Sequence, residues 1–150
     1  MPDPYEKNLV TQNFYYSKTD IIGRIVVVLD GTLEKRGLQL IQPPSRAFPA
    51  GTIIELIGTD ETSAGPGEKV EKIAYLAFVE LQNGGVLLSG DPVIWNGRTI
   101  GTIAGFDDTH MPNHQNTIVT METRSSGAQL GCAVGDEIII QGFTSTNGQR

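Results

Sequence analysis

The sequence predicts an all-β protein, a small closed or partly open β-barrel, and three observations predict it. Short apolar runs recur at roughly ten-residue intervals. The runs "IVVVL", "TIIELI" and "EIII" are rich in β-branched side chains, which fit a pleated, half-buried surface better than a helix. Between the runs stand most of the 18 glycines and 8 prolines of the 150 residues, the punctuation of short strands and tight turns.

Taken in chain order, the N-terminal stretch "MPDPYEKNLVTQNF" is polar and has no apolar signal core. Residues 1–18 are expected to fray. Strands are then expected near Ile25–Asp30, Leu38–Gln42, Thr52–Ile57, Ile73–Leu81, Val86–Ser89, Val93–Trp95, Thr99–Ala104, Thr117–Glu122 and Glu137–Gly142. Two Asn-Gly pairs, at 83–84 and 96–97, sit between apolar runs, and Asn-Gly tolerates the positive φ of a type I′ turn. Each therefore predicts a hairpin. A third pair, Asn147-Gly148, lies in the tail 144–150, which is expected to fray.

Residues 68–82 read two ways. As a helix they contain good helix formers and end near a glycine; as a strand, Ile73, Tyr75, Ala77, Val79 and Leu81 alternate. The strand is preferred because the Asn-Gly turn leads straight into "GVLL". The preceding "GPGEK" lacks the spacing of a phosphate-binding loop and reads as an exposed turn. A weaker echo links "AGTIIEL", "SGDPVIW" and "VGDEIII", in which a glycine precedes a strand by two or three residues. Such turns re-aim the chain, as a small barrel must do repeatedly.

Length sets one domain over residues 1–150. With 11 Lys plus Arg against 17 Asp plus Glu, the net charge of -6 excludes a nucleic-acid partner on electrostatic grounds. No apolar run approaches the roughly 18 residues of a membrane helix, so no membrane partner is expected. Cys132 is the only cysteine. It excludes an internal disulfide, fits a cytoplasmic location and reads as a small buried hydrophobe. The exposed strand ends of a barrel suggest a homodimer.

The chemistry-bearing segment is "GFDDTHMPNHQN", residues 105–116, which holds both histidines. Asp107, Asp108, His110, Asn113, His114 and Asn116 are the candidate ligand-binding residues. Polar groups at this density on a loop held by rigid strands suit a small polar ligand, such as a carbohydrate or an organic acid. His110, His114 and Asp108 are also a candidate set for a divalent metal. Pro112 between the histidines argues for a bent loop and against a helical pair. The alternative function is a hydrolase or lyase in which an aspartate orients a histidine for acid–base work, with or without that metal. The bland alternative is a polar corner, with Asp107 and Asp108 capping a turn and the histidines bonded to backbone. Trp95 reads as a hairpin anchor, with sugar stacking as its alternative role.

From Tyr75 to Gly142 the order of features resembles the glucitol/sorbitol-specific IIA components of the bacterial sugar phosphotransferase system. The likeness rests on "AYLAFVELQNGGVLLSGD", a hairpin ending in "IGTIAGFDD", the segment "PNHQNTIVTM" and a terminal "VGDEIIIQG". It implies an all-β fold. That family carries its phosphorylated histidine in the strand matching "LAFVEL", where this chain has Phe78, Val79 and Glu80. The resemblance therefore does not imply phosphotransfer here, and His114, which matches a second histidine of the pattern, takes no role from it.

Overall fold

The computed structural model describes residues 18–143. The tail 144–150 with its Asn147-Gly148 pair, and residues 1–17, lie outside the described residues. Lys18 itself pairs with Phe143 through two backbone hydrogen bonds of 2.9 and 3.1 Å.

The described chain is nearly all β. In order the strands are β1 (Ile21–Val28), β2 (Thr32–Leu33), β3 (Leu38–Gln39), β4 (Ser45–Phe48), β5 (Ile53–Thr59) and β6 (Lys69–Val70). There follow β7 (Ile73–Leu81), β8 (Gly85–Leu88), β9 (Pro92–Trp95), β10 (Arg98–Asp107), β11 (Gln115–Thr120) and β12 (Glu137–Ile140). A single helical turn, α1 (Gly127–Leu130), is capped by Ser126. Seven strands close a barrel in the order β1-β12-β9-β10-β11-β5-β7, and β7 returns to β1. The strand β2 adds to β7 outside the ring. All the ring pairs are antiparallel except β5 with β11, which run parallel. None of the described helices is long and apolar enough to cross a membrane.

Two apolar clusters hold this arrangement. The first fills the barrel, with Ile21, Ile25, Leu56, Val79, Val93, Phe106, Val119 and Ile138 among its members. The second lies on the outer face of β5, β7, β10 and β11, where Ile57, Ile73, Ala104 and Ile118 are covered by Leu38 and Val70 of the β3–β6 ribbon and by Leu40 just beyond it. These four strands are thus apolar on both faces over part of their length. That is why residues 73–81 form a strand although their alternation is blurred.

The Asn96-Gly97 pair makes the expected two-residue hairpin. Both residues have positive φ, 45° and 83°, and Trp95 faces Arg98 across the turn. At Asn83-Gly84 the structure differs. The strand β8 pairs with β4, not with β7, because β5 occupies one edge of β7 while β1 and β2 share the other. Asn83 instead secures the crossing: its side chain accepts from Ile22 N at 2.7 Å and donates to Asp20 O at 2.8 Å.

The echoed glycines prove to be one turn used three times. Gly51, Gly90 and Gly135 all sit near φ 90° (88°, 95° and 92°), at the third position of a β-turn leading to β5, β9 or β12. The amide of each donates to a neighbouring strand, at Leu81 O, Ile103 O and Ile25 O. Nothing lies within 4 Å of a Cβ built on Gly51 or Gly135, so the demand is for backbone conformation alone. Gly51→Ala and Gly135→Ala should each lower the unfolding free energy by roughly 1–2 kcal/mol, the cost of a left-handed L-residue. Urea denaturation of the two variants checks this; an unchanged midpoint in both would contradict it.

Candidate functional site

Strands β10 and β11 each run further than their apolar residues alone suggest, and the extra residues are polar. Asp107 ends β10 and faces Asn116 near the start of β11. Both are buried, at 2% and 0% exposure. Asp107 Oδ1 accepts from Thr109 N at 2.8 Å and from Asn116 Nδ2 at 3.1 Å, and Oδ2 accepts from Gln39 N at 3.0 Å. Burial acts against its charge more than any single bond favours it, but the bonds from Thr109, Gln39 and Asn116 together hold its carboxyl below the usual range. Asp107 is therefore a structural anchor that caps the turn and ties the β3–β6 ribbon to the barrel.

Asp108, next along, leaves the strand and is half-exposed. Its Oδ1 accepts from both Arg46 Nη2 at 2.8 Å and Gln115 Nε2 at 2.7 Å. This carboxylate fixes two side chains that wall a cleft.

The loop from 108 to 114 then folds as consecutive turns, with Met111 N donating to Asp108 O at 3.0 Å and Asn113 N to His110 O at 2.9 Å. Pro112 follows a cis peptide. The bent loop brings the two imidazoles together as a helix would have done, with ring centroids 5.0 Å apart. Among the described residues, no backbone group holds either ring. His114 Nε2 lies 2.9 Å from Glu55 Oε1, its Nδ1 lies 3.1 Å from Asn113 Nδ2, and Phe78 packs edge-on against it. His110 Nε2 meets Arg36 Nη2 at 3.4 Å.

The structure thus separates the six sequence candidates into three sets. His110, Asn113 and His114 cluster at the loop, joined by Glu55 from the middle of β5; Asp107 and Asn116 brace it from behind. Asp108, placed by the sequence with the histidines as a metal-ligand set, points instead to Arg46 and Gln115. The carboxylate within reach of both imidazoles is that of Glu55, whose ligating oxygen lies within 4.8 Å of a nitrogen of each ring. Sequence reasoning missed Glu55, yet a signal was present. It is the one charge inside "TIIELIG", and it is only 5% exposed.

Two hollows flank His114. One, of about 430 Å³, is walled by Arg46, Phe48, Thr52 and Ile53 on one side and Met111, Asn113 and Gln115 on the other. The second, of about 310 Å³, is apolar and lies between Val26, Val27, Ile53 and Phe78. Elsewhere, Trp95 is held by Asp136, which accepts from its Nε1 at 2.9 Å, and by Arg98 stacked 5.7 Å from the ring centroid. It is a hairpin anchor. Burial, with a lesser push from Asp136, raises the Cys132 thiol above its usual range, so it is a poor thiolate.

Comparison with known proteins identifies a family profile that matches residues 15–141. The chain belongs to DUF6917. This is a family of unknown function, and Glu55, His110, Asn113 and His114 all lie within the matched span. No curated protein and no solved structure is significantly similar to this DUF6917 chain.

The Asp107 network yields a signed pH dependence. A carboxyl whose folded pKa is depressed contributes stability above its ordinary value of 3.8 and loses it as pH falls through the lower, folded value. Asp107→Asn should destabilise the protein by about 1–3 kcal/mol at neutral pH, because an amide nitrogen replaces one acceptor of buried N–H groups. The gap between wild type and variant should narrow below pH 3.8. Chemical denaturation across pH measures it, and a gap that does not depend on pH would contradict the assignment.

Proposed function

We infer that this barrel binds a small organic acid carrying hydroxyl groups, a hydroxy acid or sugar acid, in the cleft between β4 and the 108–114 loop. The observation that carries this reading is the convergence of polar groups on one apolar-walled hollow. Arg46 supplies a cation, Asn113 and Gln115 supply amides and His114 supplies an imidazole, while Phe48, Pro49, Ile53 and Pro112 provide apolar wall. A volume near 430 Å³ is in the range of small-molecule sites. Its polar groups are positioned in advance: Asp108 Oδ1 holds Arg46, and the Gln115 amide nitrogen is spent on Asp107 O and Asp108 Oδ1, which leaves Gln115 Oε1 as an acceptor for a ligand hydroxyl; preorganised groups cost less entropy on binding.

Glu55 and His114, 2.9 Å apart, favour a second reading. In it the pair performs acid–base chemistry on the bound molecule, as expected of a hydrolase or lyase, with Glu55 orienting the imidazole. Phe78, in the strand that resembles the one in which the sorbitol-specific IIA components carry their phosphorylated histidine, packs on His114.

Thermal unfolding against a panel of hydroxy acids, sugar acids and neutral sugars tests the binding reading. At about 100 times its Kd the right ligand should stabilise the wild type by roughly 2.7 kcal/mol. Arg46→Gln should remain folded and lose most of the response to acids. A panel without any shift, or a shift that Arg46→Gln keeps in full, would sink the reading.

A further inference from the structure

We propose that Glu55, His110 and His114 form a binding site for a divalent first-row transition-metal ion of the zinc type. The proposal goes beyond the organic ligand and stands on separate observations. Three ligating atoms from two distant parts of the chain, β5 and the 108–114 loop, lie within 4.8 Å of one another. Two imidazoles and one carboxylate are a donor set suited to zinc and its neighbours, and poorly suited to calcium or magnesium. Bonds of about 2.0–2.2 Å to nitrogen and oxygen bring donors on one ion closer than that limit, so modest side-chain rotation completes the site.

The second observation is the burial of Glu55. A carboxylate that is 5% exposed, the one charge on its strand, is costly unless a positive partner offsets it. A divalent ion offsets it more strongly than one imidazole of either charge does, because it carries two positive charges. His114 is also nearly covered, with 12% of its side chain exposed, whereas His110 lies at the surface. The ion would therefore enter from the His110 side and come to rest on a buried floor.

Proton accounting is consistent with uptake at this point. With Asn113 Nδ2 facing Nδ1 of His114, the network places the imidazole proton on Nε2, where it bridges to Glu55. For Nε2 to become a ligand, the proton moves to Nδ1 and the Asn113 amide turns over, so that Oδ1 accepts from Nδ1–H. No proton is lost overall. Asn113 is then a positioning residue of the kind that orients metal-bound histidines. Arg36 brings a cation to His110 through its 3.4 Å contact to Nε2, and binding through that nitrogen displaces it. Three protein ligands leave further coordination positions open, and His114 lines both flanking hollows.

Cobalt(II) titration of chelator-treated full-length protein, with no organic molecule present, tests the proposal apart from the ligand reading. One ion per chain is expected, with the visible absorption of a four- or five-coordinate centre and a rise in melting temperature, and zinc should displace the cobalt. His110→Ala changes an exposed side chain and should fold as wild type while losing the absorption band. Glu55→Gln should lose it as well. Asn113→Ala should bind about 10–100-fold more weakly. Failure of the wild type to bind, or binding that His110→Ala and Glu55→Gln leave unchanged, would overturn the site. Metal binding with no response to organic acids would leave this proposal standing and remove the previous one.

Discussion

One buried carboxylate, that of Asp107, holds together three parts of the molecule that apolar packing alone would leave loosely related. It receives the amide of Gln39 from the covering ribbon, the amide of Thr109 from the turn and the side chain of Asn116 from the neighbouring strand. An isolated buried charge is costly, but one met by several N–H groups is stabilised in proportion. Because the donors come from separate segments, the carboxylate works as a junction. It closes the ribbon over the second apolar cluster, starts the loop at a fixed angle and sets the register of β10 on β11. The positions of His110 and His114 follow from that angle.

The ribbon also explains how a carboxylate comes to be buried on β5. In a seven-stranded barrel with a solvated exterior, Glu55 would point to water. Here the outward face of β5 is partly covered, since Ile57 lies beneath Leu38 and Val70 in the second cluster, and Glu55 lies next to that covered zone with Phe78 and His114 around it. The polar site and the second cluster are thus two ends of one surface. The loop with the histidines seals the polar end much as the ribbon seals the apolar end.

Much of the fold was legible in the sequence because its signals are local. β-Branched runs, Asn96-Gly97 and the glycines at 51, 90 and 135 each state a conformation within a few residues, and the structure uses all of them. What was not legible depends on partners distant in the chain. Asn83-Gly84 has the composition of a hairpin, but the edges of β7 were already taken by strands that no local rule brings there. Asp108 and Asp107 are adjacent and chemically identical, yet one is an anchor and the other a clamp on Arg46, because a strand end and a loop start point their side chains differently. Glu55 could not be linked to the histidines from spacing, since the link is the parallel pairing of β5 with β11.

That parallel pairing has a bearing on how the protein is made. Strand β11 must come to lie beside β5 after the whole of β6 to β10 has been laid down, and the ring closes only when β12 slots between β1 and β9. Contacts between such distant segments are slow to form, because the loop entropy is spent before the contacts offset it. A ribosome would have released nearly all of the described chain before any barrel existed. Until then β5 and β7, apolar on both faces, would be open to wrong partners. A cell that makes this protein quickly therefore has reason to shield its nascent first half.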